Sequence, residues 1–358
     1  MNEHDPLITG VPEHFYVHNE DRGDTLHRSA AESIHREVLA LDVRDGDHVL
    51  EIGTGTGYSG ALLAARAGGT GRVTSIDISD HLTAWADRLH RERRLTTITC
   101  RTADGMAGYQ RHAPYDRIVA WCTPPKLPRA WVDQLTADGR IVACLPIAEQ
   151  PSTTLIATIT LPAGQPDVEA VTFGGYAQST ATPVDDALTL PGRWVDYHTR
   201  CPQPAWISIG WRDQDDPQHT GARHALKLLR NPGHIESYHR GPLDWLSWSA
   251  FTVIAGGAHR SIAALDDGRR GIGHTTASSA AVILTDGTIL ADSAHSPSLA
   301  SLQTWLHQWE QAGRPEASWF HPYLVPDDEE DLPGWDLRVT TGSRLPANEH
   351  RSNAHTTP

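Results

Sequence analysis

HVLEIGTGTGYSGALLAA, residues 48–65, is the stretch that decides the fold of this 358-residue chain. The apolar run at 49–52 predicts a β-strand, and the Ala- and Leu-rich segment at 58–67 predicts a helix. Between them, three alternating glycines predict a sharp turn whose backbone approaches a ligand closely: Gly53, Gly55 and Gly57. Free N–H groups at the start of the helix favour an anion there. Ordinary βα turns and nicotinamide dinucleotide sites share this pattern, so the flanking motifs must decide.

Acidic residues follow the next two predicted strands. The segment 72–76 is a second apolar strand that ends in Asp77, a position suited to a hydrogen bond with a ribose diol. A third strand at 96–101 precedes Asp104 and Gly105, which taken alone form an ordinary Asp-Gly turn. Ligands of parallel sheets bind beyond the carboxyl ends of the strands, where these loops lie.

Strands and helices alternate through the first half of the chain. Further strands are predicted at 115–121 and 139–145, and helices at 80–93 and 127–135. The segment 151–174 predicts two antiparallel strands. This order predicts an α/β fold with a doubly wound, mostly parallel seven-stranded sheet.

The acidic-x-G-x-G-x-G pattern that begins at Glu51 resembles motif I of class I methyltransferases, whose cofactor is S-adenosylmethionine (SAM). The resemblance implies that Asp104 takes the adenine amino group and that Asp77 takes the ribose. The residues that it assigns to cofactor binding are Glu51, Gly53, Thr54, Gly55, Thr56, Gly57, Tyr58, Asp77, Ile78, Asp104 and Gly105.

Three further segments narrow this resemblance. VPEHFYV at 11–17, the segment 103–135 with its PPxxP, and GRIVACLPI at 139–147 resemble the protein L-isoaspartyl O-methyltransferases in order and spacing. The resemblance covers about the first half of the chain and implies a carboxylate acceptor. A carboxylate with a pKa of ~4 is already ionised at pH 7, so its methylation requires positioning rather than a general base.

The acceptor segment departs from that family, which has a Gly-x-Thr-x-Ser sequence just before the helix that leads into the first strand of the sheet. Counting back from Glu51 places the serine at Ser29, whereas the Gly-x-Thr match at 23–25 places Thr25 and His27 in the motif. We therefore expect the acceptor contacts among Ser29, His27 and Thr25. Ser29 is equally well interpreted as the N-cap of a helix at 30–41, with Glu32 completing a capping box.

Composition limits the partners and the compartment. The formal net charge of −14 argues against a nucleic-acid substrate and is compatible with a peptide or protein. No run of 18 apolar residues and no signal segment is present, so we expect no membrane span and a cytoplasmic protein. The four cysteines form no CxxC pair, and the histidines fit no metal-ligand spacing, so no metal is predicted.

The second half of the chain has a different character. We predict a SAM-binding domain at 1–176, a linker at 177–192, an α+β accessory domain at 193–341 that binds substrate, and a disordered tail at 342–358. Nine of the twelve tryptophans lie beyond residue 190, and core packing is the favoured interpretation of each. Within the accessory domain we predict a hairpin at 280–290, a helix at 298–311, and a strand or strand pair at 244–255.

The combination of this methyltransferase half with a long Trp-rich C-terminal half resembles the methyltransferases of ATP-grasp (graspetide) and lanthipeptide maturation systems. That resemblance implies O-methylation of an aspartyl side chain in a ribosomally made, macrocyclised peptide. The ester then gives an aspartimide or isoaspartate, because methanol leaves readily when the next backbone nitrogen attacks. The alternatives are a repair-type L-isoaspartate methyltransferase, a SAM-binding peptide-recognition protein without turnover, and a small-molecule methyltransferase.

Overall fold

The computed structural model describes residues 10–19, 23–24, 29–183, 190–200 and 203–341 of the chain. The predicted acceptor residues Thr25 and His27 lie outside these ranges. The same holds for part of the predicted linker, 184–189, and for the predicted tail at 342–358.

The first half of the described chain forms the α/β layer structure that the sequence predicts. Its strands are β1 (His18–Asn19), β2 (Gly23–Asp24), β3 (His48–Ile52), β4 (Arg72–Asp77), β5 (Ile98–Thr102), β6 (Tyr115–Ala120), β7 (Leu127–Pro128), β8 (Leu135–Pro146), β9 (Thr154–Thr160) and β10 (Asp167–Phe173). Its helices are α1 (Glu13–Val17), α2 (Ala31–Leu41), α3 (Tyr58–Ala67), α4 (Asp80–Glu92) and α5 (Arg129–Asp133).

The main sheet has seven strands in the order β10-β9-β8-β6-β3-β4-β5. The strands from β8 to β5 are parallel to one another, and β9 pairs antiparallel with both β8 and β10. The predicted mostly parallel seven-stranded sheet is confirmed. Helix α3 begins and ends where the sequence predicts, because Gly57 and Gly68 bound an Ala- and Leu-rich segment.

The helix predicted at 127–135 is shorter in the structure. Only residues Arg129–Asp133 are helical, and Leu127–Pro128 form the short strand β7 instead. Pro128 has an extended backbone, with φ −67° and ψ 137°, and the carbonyl of Pro333 accepts a hydrogen bond from Arg129 N at 2.9 Å. Strand pairing with a distant part of the chain therefore replaces the first helical turn.

The second half contains another sheet, in which all pairings are antiparallel. Its strands are β11 (Tyr197–Thr199), β12 (Ala205–Ile209), β13 (His234–Ser237), β14 (Arg260–Ala264), β15 (Arg270–Thr275), β16 (Ala280–Leu284) and β17 (Thr288–Ala291). The strand order is β11-β12-β14-β15-β16-β17-β13. Its helices are α6 (Thr220–Arg230), α7 (Trp245–Gly256) and α8 (Pro297–Gln311). The predicted hairpin at 280–290 and the predicted helix at 298–311 are both present.

The strand or strand pair predicted at 244–255 is wrong, since Trp245–Gly256 is helix α7. Asp244 caps this helix by accepting a hydrogen bond from Ser247 N at 3.1 Å. The segment is apolar all round and largely buried, so its sequence lacks the one-sided pattern of a surface helix. Periodicity does not distinguish a buried helix from a buried strand. The length of this apolar run does, and it favours a helix.

The last two described strands, β18 (Phe320–Asp327) and β19 (Gly334–Thr341), form a hairpin that returns to the first half of the chain. Trp335 pairs with Leu127 and Gly334 with Pro128. One core cluster contains Trp335 and Leu337 together with Trp131 of α5. Most tryptophans beyond residue 190 are buried, as predicted: Trp206, Trp211, Trp248, Trp305, Trp309 and Trp335.

A membrane-crossing segment is not found among the helices of the described ranges. Within the same ranges, no three His, Cys, Asp or Glu side chains are grouped so as to hold a metal ion.

Candidate active site

The glycine turn between β3 and α3 has the backbone that its sequence predicts. Gly53, Gly55 and Gly57 have φ values of 94°, 50° and 89°, in the left-handed region that favours glycine. A Cβ at Gly57 would lie 2.9 Å from Cβ of Ala86, and one at Gly53 would lie 3.4 Å from Cβ of Trp121. The backbone conformation therefore favours glycine at all three positions, and at Gly57 the close approach to Ala86 also leaves no room for a side chain.

The two threonines of the turn bond within the protein. Thr54 Oγ1 is hydrogen-bonded to Ser75 Oγ at 2.7 Å, and Thr56 Oγ1 accepts from Tyr58 N at 3.3 Å. Gly53 N and Thr54 N both donate to the carbonyl of Ile76, at 2.8 and 3.2 Å. These contacts hold the turn against strand β4, so the side chains of Thr54 and Thr56 stabilise the loop.

Glu51 is fully buried beneath the turn. Ser59 Oγ donates to its Oε1 at 2.5 Å, and Ser75 Oγ donates to its Oε2 at 2.6 Å. Trp121 Nε1 also donates to Oε1, at 2.9 Å. Burial raises the pKa of Glu51 to about 7, although these three donors oppose the shift. Both carboxylate oxygens are engaged inside the protein, so Glu51 positions the turn from below.

Asp77, at the carboxyl end of β4, faces the glycine turn. Its Oδ2 accepts a hydrogen bond from Gly55 N at 3.1 Å, and its Oδ1 accepts from Ser79 N at 3.0 Å. The side chain is only partly buried, and the following Ile78 is also partly buried. The acidic residue predicted for the ribose therefore contacts the turn across 22 positions of sequence.

Asp104 and Gly105 form the third loop at this edge of the sheet. Asp104 is exposed and accepts a hydrogen bond from Met106 N at 2.9 Å, which begins a short 3₁₀ turn. A Cβ at Gly105 would lie 2.6 Å from Ile52 Cγ2, the last side chain of β3. Trp131 Nε1 donates to the carbonyl of Gly105 at 2.8 Å. The loops after β3, β4 and β5 thus converge as the sequence predicts.

Aromatic and histidine side chains that sequence reasoning did not assign surround Tyr58. His35 Nε2 and the Tyr58 hydroxyl are hydrogen-bonded at 2.7 Å, and the ring centroid of Tyr16 lies 6.2 Å from that of Tyr58. Tyr16 Oη lies 3.4 Å from Nδ1 of His90, whose burial lowers its pKa to about 4. Tyr16 belongs to the VPEHFYV segment, and the resemblance of that segment to the isoaspartyl methyltransferases was the one sequence feature that pointed to Tyr16.

Ser29 is not the N-cap of helix α2. The N-cap is Ala30, which has φ −62° and ψ 136°, and no side chain caps the helix. The capping prediction is therefore wrong, because the helix begins one residue later than the capping box requires. Ser29 instead lines an open cavity of about 520 Å³ with Glu13 and Glu32 among its neighbours.

The chain beyond strand β10 crosses the loop that follows β6. Thr123 N donates to the carbonyl of Ala177 at 2.8 Å, and Ser179 N donates to the carbonyl of Thr123 at 2.9 Å. The Tyr176 ring packs edge-on against Trp121 with centroids 5.8 Å apart, and its hydroxyl donates to the buried Glu37. Burial raises the pKa of Glu37. The segment around Tyr176 therefore covers one side of the loop after β6.

Comparisons with known proteins agree with this description for the first half of the chain. Residues 22–160 match the family model described as Protein-L-isoaspartate(D-aspartate) O-methyltransferase (PCMT). A protein-L-isoaspartate O-methyltransferase of Paramagnetospirillum magneticum is 43% identical over 110 residues, which are 31% of this chain and 49% of that protein. Protein-L-isoaspartate O-methyltransferase 2 of Archaeoglobus fulgidus is 37% identical over 102 residues, 28% of this chain and 47% of that protein.

A solved structure named protein-L-isoaspartate O-methyltransferase aligns with 94% of this chain and 99% of its own, at a TM-score of 0.43 and 15% sequence identity. The chain spans about half the length of the curated relatives just described. The predicted resemblance to the isoaspartyl methyltransferases is confirmed for residues 22–160. The second sheet lies beyond that matched range.

Proposed function

We propose that this chain is a SAM-dependent O-methyltransferase that esterifies a carboxylate of a peptide or protein. The matched family consists of SAM-dependent carboxyl O-methyltransferases, and the match covers residues 22–160. The observation that supports the proposal most directly is the hydrogen bond from Gly55 N to Asp77 Oδ2 at 3.1 Å. It joins the glycine turn to an acidic strand end, the pairing that nucleotide-like ligands use in parallel sheets.

The residues at this edge of the sheet fit SAM. The turn from Gly53 to Gly57 presents backbone at the end of β3, and Asp77 and Asp104 place carboxylates at or just beyond the ends of two neighbouring strands. When bound, SAM supplies a methyl group on a sulfonium. In this proposal Asp77 holds the ribose diol, Asp104 accepts from the adenine amino group, and the turn lies against the remainder of the cofactor.

The ionisable groups of the site suit an acceptor that needs no proton removed. His90 has a pKa of about 4 because of burial and is therefore neutral at pH 7. Both Glu51 oxygens are occupied by donors within the protein. An already ionised carboxylate requires only positioning and the exclusion of water. Ser29, in its open cavity ahead of α2, is the described candidate for contact with that acceptor.

Two acceptors are compatible with this chemistry. The family match supports an L-isoaspartyl residue, the acceptor of the repair-type enzymes after which the family is named. The second sheet, from β11 to β17, favours a larger substrate, because it lies outside the matched range and offers a second surface. For such a larger substrate, the proposed acceptor is the aspartyl side chain of a macrocyclised precursor peptide. Its methyl ester is then converted to an aspartimide. The accessory domain at 193–341 would then hold the peptide.

Mass spectrometry of three substrates incubated with the full chain and SAM tests these proposals. The substrates are a linear Asp peptide, its isoaspartyl isomer, and a macrocyclised Asp peptide from a neighbouring gene. A gain of 14 Da on the isoaspartyl peptide supports repair, and a gain on the macrocycle followed by loss of methanol supports maturation. Binding of S-adenosylhomocysteine (SAH) with no methylation of any peptide would instead indicate a recognition protein without turnover.

A further inference from the structure

Arg193 lies against the loop that follows strand β6, although it belongs to the second half of the chain. Its Nη2 donates to the carbonyl of Thr123 at 2.6 Å, and its Nη1 donates to the carbonyl of Ser179 at 2.9 Å. Thr123 follows Trp121 by two residues. Trp121 donates a hydrogen bond to Glu51, and its Cβ lies 3.4 Å from the position that a Cβ on Gly53 would take. Contacts with backbone carbonyls therefore fix the guanidinium on the loop after β6, and β6 pairs with β3, the strand that leads into the glycine turn.

The Lys and Arg side chains around this loop differ in whether a carboxylate pairs with them. Lys126 is paired with Asp327 and with Glu329, and Arg129 is paired with Asp328. Arg193 forms no ion pair with any carboxylate of the described residues, and its side-chain partners there are carbonyl and hydroxyl oxygens. Its Nε is buried and donates to no atom in that part of the chain. A buried N–H and a positive charge are thus left without an anion.

This arrangement is suited to a carboxylate. A guanidinium presents N–H donors in a planar fork that matches the two oxygens of a carboxylate. A buried donor without an acceptor costs free energy that a bound ligand recovers. Burial also lowers the pKa of Arg193, consistent with a charge that lacks a partner. Contact with the Trp194 ring, 5.3 Å from the guanidinium carbon to the ring centroid, helps to hold the side chain in one orientation.

We propose that Arg193 binds the acceptor carboxylate of the peptide substrate through Nε–H and the free Nη2 hydrogen. This inference rests on the proposed carboxyl methyltransferase function and adds a specificity residue to it. The carboxylate is held beside the loop after β6, while Asp77 and Asp104 remain for the cofactor. Electrostatics favour this division, because a cation beside the acceptor offsets the repulsion between its carboxylate and those two aspartates.

The test measures peptide binding to the full-length protein saturated with SAH, so that no turnover is needed. The probes are the peptide that the wild type methylates and the same peptide with its acceptor carboxylate replaced by an amide. We expect the wild type to bind the carboxylate peptide at least tenfold more tightly than the amide. Arg193→Gln should bind the two alike, and Arg193→Lys should retain part of the preference. Arg200→Gln is the matched control, since Arg200 is an exposed arginine seven positions further on.

The outcomes separate this inference from the function on which it rests. A wild type that methylates no carboxylate peptide would overturn both. A wild type that is active but has the same carboxylate preference as Arg193→Gln would overturn only the role of Arg193. A tenfold loss of SAH affinity in Arg193→Gln, with the preference retained, would assign Arg193 to the cofactor's own carboxylate and overturn the proposal. If Arg193→Gln does not fold, equal binding of the two peptides by the wild type overturns it as well.

Discussion

Trp121, the residue directly after strand β6, donates its indole N–H to Oε1 of Glu51 at the end of strand β3. The two atoms are 2.9 Å apart, and the residues are separated by 70 positions of sequence. Ser59 and Ser75 donate to the same carboxylate. One buried acid thus joins the glycine turn, strand β4 and the loop after β6, the three parts on which the proposed function depends.

Glu51→Gln should change how stability depends on pH. Because burial raises the pKa of folded Glu51 from 4.5 to about 7, the folded state binds the proton more tightly than the unfolded state. This group therefore stabilises the wild type most below pH 4.5, and the stabilisation is lost as the pH rises to about 7. Across that interval Glu51→Gln should gain up to ~3 kcal/mol of unfolding free energy relative to the wild type. Urea unfolding at pH 4.5 and 8 measures this difference.

The exposed Glu32→Gln, on helix α2, is the control for that experiment and should show no comparable pH-dependent difference. A constant difference between Glu51→Gln and the wild type at both pH values would contradict the raised pKa of Glu51.

Asp77→Ala should weaken SAM binding at least tenfold, or about 1.4 kcal/mol. Two effects contribute, since the substitution removes the proposed ribose contact and leaves Gly55 N and Ser79 N without their acceptor. Calorimetric titration with SAM gives the affinity. Asp80→Ala, an exposed aspartate at the start of α4, should bind SAM like the wild type. Unchanged affinity in Asp77→Ala would remove Asp77 from the cofactor site.

Asp104→Ala should also weaken SAM binding about tenfold, through loss of one hydrogen bond to the adenine amino group. A second probe isolates that contact: an SAH analogue in which the amino group is replaced by oxygen. The wild type should bind SAH more tightly than the analogue, and Asp104→Ala should bind the two alike. The exposed Asp138→Ala is the control. Equal discrimination by Asp104→Ala and the wild type would exclude the adenine assignment.

Ser29→Ala should lower kcat/KM about tenfold while leaving both SAM affinity and the melting temperature unchanged. The melting temperature should not move, because Ser29 makes no capping bond to helix α2. Steady-state kinetics with the methylated peptide, together with thermal unfolding, provides both values. Ser33→Ala, within the first turn of the same helix, is the matched control. Wild-type kinetics in Ser29→Ala would exclude the serine from the acceptor site.

Trp335→Ala should destabilise the protein by about 3–5 kcal/mol, the usual cost of removing a buried tryptophan. Trp335 is 7% exposed, pairs with Leu127 in strand β7, and lies beneath the Arg129 guanidinium. Urea unfolding measures the loss. Tyr323→Ala, on the same hairpin but 45% exposed, should cost much less. Equal losses for the two variants would show that the hairpin does not anchor the first half of the chain.

Much of the fold and of the geometry of the candidate cofactor site was predictable from the sequence, because the signals are local. The glycines at 53, 55 and 57 require φ values that other residues rarely adopt, so their spacing alone specifies the turn. Asp77 ends apolar strand β4, and Asp104 follows apolar strand β5. Parallel pairing brings the ends of these strands to one edge of the sheet. Helix α3 and the hairpin of β16 and β17 follow equally from neighbouring residues.

The sequence by itself therefore determined the α/β order, the glycine turn and the acidic strand ends, since each depends on the conformational preferences of adjacent residues. Only the tertiary structure decided that Trp121 contacts Glu51, that β19 pairs with β7, and that Arg193 lies on the loop after β6. These contacts join residues 70 or more positions apart. They depend on which buried polar groups and apolar faces find partners when the whole chain packs, and no local pattern encodes that choice.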